Sequence, residues 1–350
     1  MTGRPPANPK KVCFAVNQYP APLTIDAKTR ETLKVLFLAK HALGDGSLHP
    51  EDGNHAVYHN EVRTILEGLF DNLQVGNQYA MLFDPPEVDF VFSLLNRGGF
   101  VNSEMLVPLL CNRKGLPYLG GSPILRGLSD DKHLSKLVAR ARGIPTADWA
   151  IYRKGGPVDE KLCPMAERMV IKPNASSASW GVRDAGDWAG VKDAIAAIHE
   201  EGHDAIVEPF LTGSDVEVPV VTMHGRPLIL PMMLFEQADP THLRTYWEKR
   251  DLVERASKYE LVDFEGSPFE AEIAAHTANL AQEFVPFDYG RYEFRLDAEK
   301  GELHFLEVNL NCNLWSQKVF GRSAVRAGWT QEQLIETIVA ESLRSHGLMD

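Results

Sequence analysis

Gly290-Arg291-Tyr292-Glu293-Phe294-Arg295-Leu296-Asp297, then Ala298-Glu299-Lys300-Gly301, then Glu302-Leu303-His304-Phe305-Leu306-Glu307-Val308-Asn309 is the stretch on which the reading of this 350-residue chain turns. Two runs of alternating residues flank a polar turn with a glycine, which predicts an antiparallel hairpin over 290–310. With the turn centred on Lys300, Glu293 lies opposite Glu307 and Arg291 opposite Asn309. Strand side chains alternate between faces, so these four residues share one face. Facing carboxylates repel unless a proton or a cation sits between them. Two carboxylates with an amide oxygen are the hard donors that suit Mg²⁺, with nucleotide phosphate as the remaining ligand. A slip of one residue would put the acids on opposite faces and remove the argument.

Upstream, Met169-Val170-Ile171-Lys172-Pro173 reads as a buried strand ending in a lysine. The loop Asn174-Ala175-Ser176-Ser177-Ala178-Ser179-Trp180-Gly181 follows it. Small and hydroxyl residues there can present backbone N–H groups to phosphates, with Lys172 adding a point charge. The segment from Ala205 to Asp215, through Glu208-Pro209-Phe210-Leu211, reads as a strand leaving its sheet into a linker. Its free backbone groups suit an adenine edge, and the acid at its end suits ribose hydroxyls.

The remainder is organised around these segments. Residues 11–125 read as a small parallel α/β lobe like half of a Rossmann unit, with strands at 12–16 and 88–94 and helices at 61–73 and 102–114. Residues 32–41 also read as a helix. Ser129-Asp130-Asp131 caps a helix running to about 142, before Gly143 and Pro145. Strands follow near 148–152, 168–172 and 204–208, with a helix at 187–199. Strands at 215–222 and 227–233, a charged loop, a helix at 269–283, the hairpin and a terminal helix at 331–345 complete the chain. The expected divisions are 1–128, 129–212 and 213–350.

The chain carries 36 Lys and Arg against 48 Asp and Glu, and the net charge of -12 opposes binding to nucleic acid or an anionic membrane surface. No run of about 18 apolar residues is present, and a cytoplasmic location is expected. Cys13, Cys111, Cys163 and Cys312 are far apart and form no CxxC pair, so reduced, mostly buried thiols are expected. His41, His49, His55 and His59 fit no compact ligand set and read as solvated surface.

Taken in order, Asp131-Lys132, Ile171-Lys172-Pro173, the serine loop, Glu208 to Asp215, Arg291, Glu293 and Glu307-Val308-Asn309 resemble the ATP-grasp superfamily, and most closely the D-alanine:D-alanine ligases. The resemblance covers roughly residues 88–345. It implies a three-lobe ATP-grasp fold of mixed α/β and α+β type, and an ADP-forming enzyme that phosphorylates a carboxylate and couples it to an amine. By the same resemblance Lys132 and Lys172 hold the α- and β-phosphates, and the loop with Ser176, Ser177 and Ser179 closes over them. Adenine lies against Glu208–Leu211, including Leu211 itself, and ribose against Asp215. Glu293, Glu307 and Asn309 match the Mg²⁺ ligands, with Mn²⁺ as a possible substitute, and Arg291 matches the arginine that steadies the oxyanion. The stretch 243–250 looks like the mobile loop whose lysine reaches the γ-phosphate, here Lys249. A homodimer is a further expectation of the resemblance.

The match breaks where the first substrate's amine would be held, since that place reads Asn17-Gln18-Tyr19-Pro20. The His-Gly motif appears as Leu95-Asn96-Arg97-Gly98-Gly99-Phe100-Val101-Asn102. The turn after Asn309 becomes Leu310-Asn311-Cys312-Asn313-Leu314-Trp315-Ser316-Gln317-Lys318. These departures argue for a small-molecule acid other than alanine, with Arg97 a candidate for its carboxylate, Lys318 a candidate for the carboxylate of an amino-acid nucleophile, and Asn313 a further substrate-binding candidate. One rival resembles the mycosporine ligases, which activate a vinylogous acid; another is a catalytically silent nucleotide-binding protein. A dinucleotide oxidoreductase is disfavoured by the absence of a GxGxxG after the first strand.

Overall fold

The computed structural model describes residues 19–95, 102–254 and 256–350. The expected strand at 12–16 and Arg97 therefore lie outside the described residues.

Strands β1 (Lys34–Leu38), β2 (Asn72–Gly76) and β3 (Phe90–Ser93) form a parallel sheet in the order β2-β1-β3. The helix expected over 32–41 is therefore corrected to the central strand of this sheet. Val35, Leu36, Phe37 and Leu38 are all buried, and a run buried on both faces has no periodicity to separate strand from helix. The helix expected at 61–73 spans His55–Leu69 instead. Its polar first turn hides the start, and the residues past its end form β2.

Strands β4 (Ala150–Tyr152), β5 (Met169–Pro173), β6 (Arg183–Ala185) and β7 (Ala205–Pro209) form an antiparallel sheet in the order β4-β7-β5-β6. The helix Trp188–Glu200 covers it, burying Val191, Ile195 and Ile198 against Met169, Ile171 and Val207. Asp187 caps this helix by accepting from Gly190 N at 2.8 Å.

The third sheet holds β8 (Ser214–Met223), β9 (Arg226–Ile229), β10 (Met233–Gln237), β11 (Tyr259–Asp263), β12 (Tyr289–Asp297) and β13 (Glu302–Asn309). The strand expected over 227–233 is thus two strands, β9 and β10, and β11 was not foreseen. The order is β11-β10-β8-β12-β13, with β9 paired to β8. One face of β8, β12 and β13 buries Val216, Val218, Tyr292, Phe294, Phe305 and Val308 in a single core with Ile273, Leu280 and Phe284. The helix Lys132–Ala141 is capped by Asp131, which accepts from Leu134 N at 2.9 Å. Ser129 and Asp130, expected to share that cap, instead end the preceding helix, Pro123–Asp130.

The terminal helix Gln331–Ser345 packs Leu334, Ile335, Ile338 and Val339 into the core beneath β1. Buried Asp288 joins these parts, accepting from Gly120 N at 2.5 Å and Ser342 Oγ at 2.8 Å. Burial pushes its carboxyl up to about 6 despite those donors, while Glu341 adds repulsion. A carboxyl whose native value is raised costs stability fully above that value, and the cost fades as pH falls towards its ordinary 3.8. Asp288→Asn keeps an acceptor oxygen. It should raise the unfolding midpoint at pH 8, and the gain over the parent should shrink steadily as thermal melts are repeated down to pH 4.

Candidate active site

The hairpin brings Glu293 opposite Glu307 and Arg291 opposite Asn309, as expected. The route to that register differs from the uninterrupted ladder of the sequence reading. Nearer the turn Phe294 faces Phe305 and Arg295 faces His304, and the register shifts between Glu293 and Phe294. Leu306 is the extra residue of a β-bulge. Without it Glu307 would fall on the core side with Tyr292. The bulge restores the face, and it turns Leu306 into the wall of the adjoining cleft.

A third strand completes the pattern. β8 sets Glu217 opposite Glu293 and Asp215 opposite Arg295, so Glu217, Glu293 and Glu307 lie in one row across three strands. Glu217 was missed in the sequence, although an acid inside the apolar run Val216-Glu217-Val218, two residues from Asp215, is the available signal. Arg291 Nη2 lies 2.6 Å from Glu293 Oε1, and Arg291 Nε lies 2.8 Å from Glu217 Oε2. Asn309 Nδ2 donates to Glu293 at 2.8 Å and to Glu307 at 3.3 Å. Its amide nitrogen thus bridges the two acids, and a half turn of the amide would put its oxygen there instead.

The acids are not equivalent. Burial, with Glu217 and Glu307 alongside, pushes Glu293 up to about 7 against the pull of Arg291. Glu307, half-buried, is held down at about 2 by Lys132 and Lys172 against the desolvation that would raise it. A buried carboxylate short of compensating charge, beside an ionised one with an amide oxygen in reach, is a donor set that fits a divalent cation.

The expected phosphate-binding residues converge on the same cleft. Lys132 Nζ donates to Ser176 O at 2.6 Å and lies 3.3 Å from Glu307 Oε2. Lys172 pairs with Glu208, which also meets Lys136 Nζ at 3.0 Å. Lys136 was not foreseen; it sits one helical turn from Lys132 on the same helix face. Ala178 and Ser179 have φ of 54° and 60°, and Gly181 has 70°, so the loop is a run of tight turns, closed by Trp180 N donating to Ser177 O at 3.1 Å and Val182 N to Ser179 O at 3.3 Å. Ser176, Ser177, Ala178 and Ser179 line the cleft.

In the linker, Phe210 N donates to Arg168 O at 2.9 Å and the Leu211 carbonyl accepts from Arg295 Nε at 3.1 Å. The linker therefore offers fewer free backbone groups than expected. Asp215 pairs with Arg244 and, at 2.7 Å, with Arg295.

The charged loop folds over the cleft. Thr245 and Glu248 form a capping box on the short helix Tyr246–Lys249, and their spacing is the sequence signal for it. Glu248 also accepts from Ala256 N at 2.8 Å and meets His242 Nε2 at 3.0 Å. Lys249 is half-buried in the cleft wall, its ammonium pushed down by desolvation and Arg244 and partly restored by Asp215, Glu293 and Glu217. Arg250 Nη1 reaches Asp52 Oδ1 at 2.7 Å, and Asn54 Nδ2 donates to Asp251 Oδ2 at 2.6 Å.

Histidines 41, 55 and 59 are corrected from solvated surface to cleft wall, and His59 is buried. His55 and His59 stand one turn apart at the start of a helix whose face turns inward, which the surrounding turn residues concealed. His41, His49 and Asp52 have donor atoms within 4.8 Å of one another. Asp52 is already held by Lys40, Arg250 and His41, so cations and a hydrogen bond satisfy it. Asn313 and Lys318 line the same cavity, which encloses about 670 Å³. Asn313 Oδ1 accepts from Trp315 N at 2.8 Å, and Lys318 Nζ lies 5.8 Å from the Trp315 ring centre. Among the described cysteines, Cys111 and Cys312 are buried and none is bonded to another.

Residues 138–340 match the family model described as the D-ala D-ala ligase C-terminus. The chain belongs to the D-Ala–D-Ala ligase family. A D-alanine–D-alanine ligase of Haemophilus ducreyi is 26% identical over 255 residues, covering 72% of this chain and 80% of that one. An uncharacterized Sinorhizobium fredii protein, y4sG, is 28% identical over 242 residues, covering 67% and 68%. The fold matches the D-alanine–D-alanine ligase from Bacillus anthracis complexed with ATP, with a TM-score of 0.67, 19% identity and coverage of 90% and 99%. It also matches the VanG D-Ala:D-Ser ligase from Enterococcus faecalis, with a TM-score of 0.68, 12% identity and coverage of 89% and 99%. Membership in this ATP-grasp family makes the chain an ATP-dependent ligase that joins a carboxylate to an amine. No described helix is long and apolar enough to cross a membrane.

Proposed function

We propose that this D-Ala–D-Ala ligase relative activates an acid other than alanine as its acyl phosphate and couples it to an amine, most naturally that of an amino acid. The observation that carries the reading is the row Glu293–Glu307 with Asn309 beside Arg291 on the wall of the cleft. Mg²⁺, or Mn²⁺ in its place, would be held by Glu293, Glu307 and Asn309 and would supply charge neutralisation to phosphate oxygens.

Lys132 and Lys172 hold the α- and β-phosphates, and the amides of the loop with Ser176, Ser177 and Ser179 close over them. Glu208 and Leu211 border the adenine and Asp215 the ribose. Lys249 meets the γ-phosphate from the folded-down loop. A carboxylate oxygen of the acid attacks the γ-phosphorus and ADP leaves. The amine then attacks the acyl carbon, and Arg291 steadies the oxyanion before phosphate departs. Asn313 and Lys318 border the amine, with Lys318 toward its carboxylate, and Arg97 is assigned to the acid. The closed loop excludes water, which would otherwise hydrolyse the acyl phosphate.

The absence of an amine anchor at Asn17-Gln18-Tyr19-Pro20 supports a non-alanine acid. A screen of purified protein with ATP and Mg²⁺ should release ADP only when both an acid and an amine are present. Amine-independent turnover to a stable phosphorylated product would overturn the reading.

A further inference from the structure

We propose that the acid substrate carries a second carboxylate, which docks on the cleft wall formed by Lys40, His55, His59 and Arg250. This rests on the ligase reading above and names its substrate class. The cavity that holds Lys249, Arg291 and Glu293 continues without a break to these four residues. Lys249 and Arg250 are adjacent in the chain, so one strand of the loop serves both ends: Lys249 among Asp215, Glu217 and Glu293, Arg250 beside Asp52 and His55.

The charge on this wall is positive. Among the described residues Asp52 is its one carboxylate, and that group is shared among Lys40, Arg250 and His41 Nε2, the last at 2.8 Å. Asp251 is bonded to Asn54 Nδ2 instead. Glu104 and Asp130 also border the cavity, and each has a partner of its own.

The imidazoles complete a receptor for anionic oxygen. His59 Nδ1 accepts from His41 N at 3.2 Å, which leaves the proton of the neutral ring on Nε2 as a donor. Burial holds both rings down at about 3, with Arg250 also acting on His55 and Lys40 on His59. They therefore remain neutral donors at physiological pH. A substrate ammonium would meet Lys40 and Arg250 here with no uncommitted carboxylate among the described residues of this wall to balance it.

Calorimetry on the full chain with ADP and Mg²⁺ tests this with three probes: glutarate, butyrate and D-alanine. Glutarate should bind at least about tenfold more tightly than butyrate, and D-alanine should bind no better than butyrate. Lys40→Met and His55→Leu should each remove most of that preference while leaving the protection of the fold by ATP and Mg²⁺ in thermal melts intact. Equal binding of glutarate and butyrate, preference for D-alanine, or no binding of glutarate overturns the second-carboxylate proposal. Loss of ATP protection in the parent protein would instead bring down the ligase reading itself.

Discussion

Glu307→Gln and Glu293→Gln should each abolish measurable ligase turnover, by about 10³-fold or more if the metal supplies the several kcal/mol usual for such sites. Their effects on stability should part ways. Glu307 is ionised and compensates Lys132 and Lys172. Its neutralisation leaves buried cations short of a partner, a change that typically costs about 3–5 kcal/mol for a buried pair. Glu293 is already pushed up to about 7 by burial and by the acids on either side of it. Above that value its ionised form burdens the fold, so Glu293→Gln should melt at the parent's temperature or higher at pH 8. Parallel activity assays and thermal melts read both outcomes. A Glu293→Gln protein that keeps near-parent turnover would remove the metal assignment.

Gly53→Ala should cut kcat by about 10²-fold, the scale on which a displacement of about 1 Å at a reacting centre is felt. Gly53 has φ +56°, and an added Cβ would lie 2.1 Å from the backbone oxygen of Arg250. A backbone atom cannot swing aside as a flexible side chain can, so the loop that carries Lys249 and Arg250 must lift. The left-handed φ alone costs only about 1–2 kcal/mol, so the fold survives while closure suffers. The partition of ADP release between ligated product and simple hydrolysis should shift towards hydrolysis, because a lifted loop admits water. Unchanged kcat with unchanged coupling would show that the contact between Gly53 and Arg250 has no part in closure.

Much of the site was legible because its chemistry is local. Lys172 ends a buried apolar strand, the serine loop follows directly, and Glu293, Glu307 and Asn309 sit on two runs joined by a short turn. Lys136, Glu217 and Glu248 escaped notice for a different reason. Each is one charged residue among many, and its weight comes from partners distant in sequence: Glu208 for Lys136, Arg291 for Glu217, and for Glu248 the return of the chain at Ala256. The loop over the cleft was visible as a run of charge, whereas its landing place at Asp52, Gly53 and Asn54 lies about two hundred residues away.

The order of motifs along the chain, with the alternation of side chains in the hairpin, determined by itself the family and the pair of facing acids. Tertiary structure alone decided three matters: that Leu306 bulges so that Glu307 reaches the cleft, that β8 lays Glu217 beside Glu293, and that His55 and His59 face inward. The physical reason is common to all three. Periodicity and spacing specify which residues share a face of one element. Which face meets the cleft, and which charges become neighbours there, is set by packing between elements far apart in the chain.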